Sequence, residues 1–173
     1  MDITEIPKQL IKNDDYRYLL CIIDQFSKLA QCYILKNKNA ESVMGNVKNF
    51  VNLYGKPNKI HTDNGKEFSN KLLEEYCRLH NIQYIHSRPY HPQSQGSIEK
   101  FKYNMEIKRI LKNIYLENSK LFSLEINLPD SLEIYINNIH SSTKFKPIEL
   151  FRTNDIDAFN LALENIKNSK KKI

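Results

Sequence analysis

The order of β-rich and helical segments along this 173-residue chain is typical of a mixed α/β fold. Residues 17–24 and 29–35 are β-rich runs joined by a short polar stretch, QFSK, which predicts an antiparallel hairpin. Further on, short β-rich runs at 59–62 and 82–85 flank a helical segment, and strands connected through a helix usually pair in parallel. We therefore expect one central sheet with strands of both orientations, covered by helices.

Helices are predicted where apolar residues recur three and four positions apart. The clearest of these segments ends at Gly55, with Pro57 just beyond it, as helices often do. The predicted helices cover residues 40–55, 68–79, 97–115, 131–139 and a last segment after Pro147. A polar loop containing prolines and a glycine is predicted between residues 86 and 96.

Composition narrows the class of protein. A hydrophobic content of 40% in a chain of this length allows one domain with a substantial core. The net charge of +6 and the isoelectric point near 9.1 favour a polyanionic partner such as nucleic acid. Three cysteines without CxxC spacing indicate neither a disulfide framework nor a zinc site, which fits a reducing compartment. The longest apolar run, residues 19–23, is far too short to span a bilayer, so we expect a soluble protein with no membrane partner.

Two acidic residues stand in specific settings. Asp63, within HTDNG, ends a short β-run, and Glu99, within HPQSQGSIE, opens the long predicted helix after the polar loop. Their separation is 99 minus 63, or 36 positions. Carboxylates at a strand end and a helix start can hold a divalent metal ion against phosphate oxygens. The pair therefore predicts phosphodiester chemistry.

The long predicted helix carries a polar stripe between two apolar ridges when it is plotted at about 100° per residue. The stripe contains Glu99, Lys102, Glu106, Arg109 and Asn113, the first ridge contains Ile98, Phe101 and Met105, and the second ridge contains Tyr103, Ile107, Ile110 and Ile114. Spacing alone favours an ordinary solvated face of ion pairs, each contributing roughly a few tenths of a kcal/mol. The alternative is a cleft whose floor is the stripe. The second ridge is equally suited to a dimer interface and to burial against the C-terminal helices.

Two longer strings, HTDNGKEF and YHPQSQGSIEK, together with their spacing, resemble the catalytic core of the retroviral-type integrases, including those of gypsy-type LTR retrotransposons. The resemblance runs from Asp2 to about Leu150 and includes RYLLCIIDQFSKLA and NNIHSSTKFKPIEL. It implies a ribonuclease H-like fold, with a five-stranded mixed sheet flanked by helices. It also implies an integrase catalytic core over residues 1–150, followed by a C-terminal helix and basic tail over 151–173. The zinc module and C-terminal barrel of complete integrases are not recognisable, so we expect a lone core or a fragment.

The same resemblance implies a polynucleotidyl transferase that catalyses DNA integration through 3′-end processing and strand transfer, with the endonuclease activity that the first step requires. The family holds two Mg²⁺ or Mn²⁺ ions with three carboxylates, which here fall on Asp2, Asp63 and Glu99. The first acid belongs on the first strand, and Asp2 in MDIT occupies that place. Asp24, at the end of an apolar strand, is the rival position, and order along the chain favours Asp2.

Implied partners are element-end DNA, target DNA and further copies of the chain in a homodimer or higher oligomer, with nuclear localisation. The positions implied to contact DNA are Asn64, Tyr90, Gln93, Gln95, Lys100, Lys102 and Arg109. Asn64 has the alternative of making an Asx turn. The sequence departs from the family pattern in the long helix: Lys102, Tyr103 and Glu106 stand where members carry Asn, Lys and Lys. Glu106 would repel phosphate unless Lys102 or Arg109 neutralises it.

Two other functions fit a chain of this kind. One is a catalytically inactive or domesticated integrase core that acts as a DNA-binding or protein-binding module, and the intact set of three acids argues against it. The other is a general nuclease of the same fold that cleaves RNA:DNA hybrids. The polar loop and the setting of Glu99 favour an integrase over that nuclease.

Overall fold

The computed structural model describes residues 1–11, 16–86 and 95–170, and for residues 95–105 it describes the backbone only. Five strands lie in these ranges: β1 (Asp2–Glu5), β2 (Tyr18–Ile23), β3 (Ala30–Leu35), β4 (Lys59–Thr62) and β5 (Gln83–His86). The helices are α1 (Ala40–Tyr54), α2 (Lys71–Leu79), α3 (Gln95–Glu117), α4 (Leu124–Asn137), α5 (Pro147–Arg152) and α6 (Ile156–Lys170). A short 3-10 helix covers Lys8–Leu10.

The strands pair in both orientations, as the sequence predicts. β1, β2 and β3 form an antiparallel sheet in that order, with Asp2 opposite Cys21 and Cys21 opposite Cys32. β4 and β5 pair in parallel through the connection that contains α2. The predicted hairpin and the predicted parallel pair are therefore both confirmed.

The described strands form two sheets rather than the single five-stranded sheet that was expected. The two sheets adjoin where the amino group of Met1 donates a hydrogen bond to the carbonyl oxygen of His61, with an N–O distance of 2.6 Å. The adjoining strands, β1 and β4, are each four residues long. Strands of that length leave little backbone for a continuous ladder between the two sheets.

Alternation along β2 separates two cores, one on each face of the antiparallel sheet. Leu19 and Cys21 face the core that α3 and α4 complete. Leu20 and Ile22 face the other core, to which α1, α2 and β4 contribute. Full burial of one Leu or Ile side chain stabilises a fold by about 1.5–3 kcal/mol. Two such cores hold the helices against both faces of the sheet.

The second ridge of α3 is buried inside the chain. Ile107 and Ile110 are 0% and 7% exposed, Ile114 is partly buried, and all three pack in the same core as Leu128 and Leu132 of α4. Burial against the C-terminal helices, one of the two alternatives from the sequence, is thus confirmed for these residues. The alternative prediction, a dimer interface formed by these three side chains, is wrong because residues of the same chain already cover them.

Three helices begin at other positions than the sequence predicts. α2 begins at Lys71 rather than at 68, because the Asn70 side chain caps it by accepting from the Leu73 amide at 3.0 Å. α3 begins at Gln95 rather than at 97. α4 begins at Leu124 rather than at 131 and contains Pro129, because burial of its apolar side continues through its first turns.

The C-terminal helices pack on the rest of the chain. The Phe159 ring of α6 lies 4.4 Å from that of Phe26 in the β2–β3 turn, measured between centroids. The Asn165 side-chain amide donates to the carbonyl of Thr143 at 3.0 Å. In the described part of the chain, every helix is too short or too polar to span a bilayer.

Candidate active site

Two of the three predicted metal ligands come from adjoining backbone segments. Asp2 opens β1, and Asp63 directly follows Thr62, the last residue of β4. The hydrogen bond from Met1 to His61 brings these segments together at 2.6 Å. Asp2 directly follows Met1, and Asp63 lies two positions after His61, so the two acids start from backbone positions close enough to bind one metal ion.

Asp2 lies on the sheet face that α3 covers. Because side chains alternate along a strand, Asp2 and Thr4 share the face of their partners Cys21 and Leu19. The Lys108 ammonium of α3 donates to the Thr4 hydroxyl at 2.6 Å on this face. Burial raises the pKa of the Cys21 thiol well above its usual value, the negative charge of Asp2 raises it further, and the positive charge of Lys108 lowers it. Asp2 and Lys108 therefore both lie close enough to Cys21 for their charges to affect the pKa of its thiol.

The Asp63 carboxylate is fixed by a tight turn. Its Oδ1 accepts a hydrogen bond from the Gly65 amide at 3.0 Å, which makes an Asx turn. A Cβ at Gly65 would lie 2.7 Å from the carboxyl carbon of Glu67, so any larger residue would force the Glu67 side chain to move. Asp63 itself is exposed. The turn thus presents an ionisable oxygen to solvent in a defined direction.

Behind this turn, β4 and β5 are joined by side chains as well as by backbone. The Thr62 hydroxyl is fully buried and lies 3.3 Å from the Tyr84 hydroxyl. The same Tyr84 hydroxyl donates to the carbonyl oxygen of Phe68 at 2.7 Å. Burial raises the pKa of Tyr84 to about 12, so this hydroxyl stays protonated and able to donate. The Tyr84 hydroxyl therefore links the end of β4, which precedes Asp63, both to β5 and to the backbone of Phe68.

The third predicted ligand, Glu99, lies in the first turns of α3. Its side chain is outside the described residues, as are those of Gln95, Lys100 and Lys102. Tyr90 and Gln93 lie outside the described residues altogether. The prediction that placed Gln95 in the loop is wrong, because α3 begins at that residue. Within the described part of the chain, no group of three His, Cys, Asp or Glu residues could hold a metal ion, and the side chain of Glu99, the third predicted ligand, lies outside that part.

The remaining predicted DNA contacts, Asn64 and Arg109, are both exposed. The Asx turn here is made by Asp63, and within the described residues no hydrogen bond holds the Asn64 side chain. Arg109 donates to both carboxylate oxygens of Glu106, at 3.1 and 2.6 Å. This hydrogen bond holds the pKa of Glu106 below its usual value. Arg109 thus neutralises the carboxylate that would otherwise repel phosphate.

The rival acid, Asp24, serves the hairpin turn. Its Oδ2 accepts hydrogen bonds from the amide and the hydroxyl of Ser27, both at 2.7 Å. Its backbone amide also donates to Leu29 at 2.7 Å. A carboxylate used in this way has a structural role, which favours Asp2 as the first acid.

Sequence reasoning missed two groups near the site. Lys108 lies on the opposite side of the helical plot from Glu99, and nothing in the pattern distinguishes it from the other lysines of α3. The contact between Thr62 and Tyr84 joins two strands that are paired only in the folded chain. No local signal in the sequence predicts either contact.

The antiparallel and parallel strand pairs, with helices on both faces and acids at adjoining strand ends, define a ribonuclease H-like α/β fold. Similar solved structures include the following two. One is a chain of the simian T-cell lymphotropic virus intasome in complex with the PP2A regulatory subunit B56 gamma, with a TM-score of 0.77 and 23% identity over 90% of this chain and 54% of that one. The other is the HTLV-2 integrase catalytic core domain in complex with magnesium, in its trimeric form, with a TM-score of 0.70 and 22% identity over 87% and 93%.

The family model for the integrase core domain matches residues 1–92, and the chain therefore belongs to the integrase core domain family. Among curated relatives, the Pro-Pol polyprotein of feline foamy virus is 29% identical over 139 residues, which cover 80% of this chain. The match covers 12% of that polyprotein, so the chain corresponds to a small part of its relative's length.

Proposed function

We propose that this chain is the catalytic core of an integrase from a retroviral-type element and that it catalyses polynucleotidyl transfer during DNA integration. The observation that carries the proposal is the placement of Asp2 and Asp63 on adjoining strand ends in a member of the integrase core domain family. Glu99, 36 positions after Asp63, lies on the helix that follows β5. Both 3′-end processing and strand transfer are assigned to this one site.

The proposed ligands for two Mg²⁺ or Mn²⁺ ions are Asp2, Asp63 and Glu99. Carboxylate oxygens are the donors that Mg²⁺ prefers, and Asp2 and Asp63 supply them from adjoining segments. The similar HTLV-2 core was solved in complex with magnesium. When bound, such ions activate the attacking oxygen and stabilise the leaving one in an in-line displacement.

The contribution of the protein to catalysis is to hold the carboxylate ligands in position. The Asx turn at Gly65 orients the Asp63 carboxylate, and the Thr62–Tyr84 contact joins that strand end to β5. No side chain acts as the nucleophile: water attacks during 3′-end processing, and a DNA 3′-hydroxyl attacks during strand transfer. Preorganised carboxylates lower the barrier because they need not reorganise as charge develops.

The proposed partners are element-end DNA and target DNA. We assign DNA contact to Asn64, Tyr90, Gln93, Gln95, Lys100, Lys102 and Arg109. The net charge of +6 supports attraction of a polyanion, although Arg109 is paired with Glu106. Oligomers of the chain are supported by the intasome and the trimeric core among similar structures. A core over 1–150, a C-terminal helix and basic tail over 151–173, and action in the nucleus complete the proposal.

The proposal is tested by incubating the purified chain with Mn²⁺ and a branched DNA that mimics the strand-transfer product. We expect the chain to reverse strand transfer, and we expect Asp63→Asn and Glu99→Gln to abolish this activity. The matched control is Glu117→Gln, an exposed residue at the far end of the same helix, which should act like the parent chain.

Unchanged activity in either Asp63→Asn or Glu99→Gln would contradict the proposed ligand set. DNA binding by the parent chain without any turnover would instead favour the inactive core.

A further inference from the structure

A long-range hydrogen bond joins the helix that carries Glu99 to the strand that carries Asp2. The Lys108 Nζ donates to the Thr4 Oγ1 at 2.6 Å, between residues 104 positions apart in the sequence. Both side chains are partly buried, so water competes less for this bond than it would at the surface. The contact involves none of the residues assigned above to the metal or to DNA.

The two ends of this contact lie close to the two acids along their elements. Thr4 is two positions beyond Asp2 on the same face of β1, about 7 Å along the strand. Lys108 follows Glu99 by 108 minus 99, or nine positions, which is about 13.5 Å along an unbroken α-helix. A shift of α3 relative to β1 would therefore change the separation of the two acids and would also break this bond.

Apolar packing alone fixes the position of α3 on the sheet less specifically than a hydrogen bond does. Ile107 and Leu111 bury α3 against the sheet, but hydrophobic burial is non-directional and tolerates small sliding. A hydrogen bond loses strength steeply with distance and angle. Lys108 thus adds a directional restraint at the turn of α3 that lies over β1.

We propose that Lys108 is a positioning residue of the metal site, which acts through Thr4 to fix the helix of Glu99 against the strand of Asp2. This inference rests on the proposed function, because it assumes that these acids share metal ions. It assigns a role to the tether itself rather than to the positive charge of the lysine.

The test compares Mn²⁺ binding by the whole chain and its variants, measured by electron paramagnetic resonance of free Mn²⁺ well below the melting temperature. We expect Lys108→Met and Thr4→Val each to weaken binding about tenfold, as for a lost hydrogen bond to a charged group. The double variant should bind no more weakly than the weaker single variant, because both changes remove one tether. Lys108→Arg should retain most of the affinity. Lys112→Met, exposed on the same helix, should bind like the parent chain.

Parent-like or tighter binding by Lys108→Met would overturn the positioning role. Weaker binding by Lys108→Met but not by Thr4→Val would also overturn it, because some other contact of Lys108, and not its bond to Thr4, would then be responsible. If Lys108→Met fails to fold, Thr4→Val, which keeps the side-chain shape, decides the question alone. Mn²⁺ binding that survives in Asp63→Asn would refute the proposed metal site, whereas its loss there with no effect of Lys108→Met would refute the positioning role alone.

Discussion

At the scale of single residues, the site depends on how each carboxylate is held. The Asp63 carboxylate is oriented by a hydrogen bond from the Gly65 amide, whereas the Asp24 carboxylate stabilises the hairpin turn by accepting two hydrogen bonds from Ser27. Glu106 is an acid beside a proposed DNA path, but Arg109 binds it through both oxygens. Three acids of the same chemistry therefore have three roles: proposed ligand, turn acceptor and ion-pair partner.

The Glu106–Arg109 pair leads to a prediction about DNA affinity. Glu106→Gln should strengthen binding to double-stranded DNA, because it removes a negative charge and leaves the Arg109 guanidinium available for phosphate. If Arg109 then makes one new phosphate contact, the slope of log affinity against log salt should steepen by about 0.9. Fluorescence anisotropy at several salt concentrations measures both quantities.

The control for this prediction is Glu117→Gln, which makes the same change in net charge at the end of α3. Equal effects of the two variants would mean that only net charge matters. An unchanged affinity in Glu106→Gln would contradict a DNA path along this face of the helix.

The ion pair between Glu106 and Arg109 weakens at low pH. The Arg109 hydrogen bond lowers the pKa of Glu106, so the pair's contribution to stability is present above the usual glutamate range and is lost as the pH falls through the lowered pKa.

At the scale of elements, α3 links the two halves of the proposed site. Its N-terminal part carries Glu99, its middle is tied to β1 by Lys108, and Ile107 and Leu111 are buried in the core under the sheet. The helix that carries the proposed third ligand is thus also a core element, so its packing determines where that residue lies.

A core substitution in α3 tests this assignment. Ile107 is 0% exposed, so Ile107→Ala should lower the free energy of unfolding by about 2–5 kcal/mol, through lost burial and a remaining cavity. Because the side chain is covered within one chain, the loss should not depend on protein concentration. Urea denaturation followed by circular dichroism at two concentrations provides the measurement.

Leu116→Ala on the same helix is the matched control, since Leu116 is 67% exposed and should change stability by no more than about 0.5 kcal/mol. A loss at Ile107 below about 1 kcal/mol, or one that grows as the protein is diluted, would show that this side chain is buried between copies of the chain instead.

At the scale of the whole molecule, local patterns predicted the elements well and their assembly less well. The hairpin, α1 and the parallel pair follow from turn residues, periodicity and connection length, all of which are local. The predicted start of α4 at 131 is wrong, because the helix begins at Leu124 and burial of Leu124 and Leu128 carries it through Pro129. One central sheet was expected from the order of elements, and its five strands from the family resemblance, but the described strands form two adjoining sheets.

In the candidate site, too, local features could be predicted from the sequence and contacts between distant residues could not. Asp63 was predicted from the HTDNG motif at the end of a β-run, which is a local signal, whereas the Asx turn was offered for Asn64 and is made by Asp63. The approach of Met1 to His61 and of Lys108 to Thr4 joins residues far apart in sequence, and only the folded core determines it. The amino-acid sequence alone therefore predicts candidate acids but not the groups that hold them in place.

The central claim is that Asp2, and not Asp24, completes the catalytic set with Asp63 and Glu99. The most direct measurement is the Mn²⁺-dependent reversal of strand transfer on branched DNA by the matched variants Asp2→Asn and Asp24→Asn. We expect Asp2→Asn to lower the rate by about 100-fold or more, the scale expected when one preorganised electrostatic group is removed. Asp24→Asn should keep most of the activity, because an amide oxygen can still accept from Ser27. An active Asp2→Asn variant, or an inactive but folded Asp24→Asn variant, would contradict the assignment.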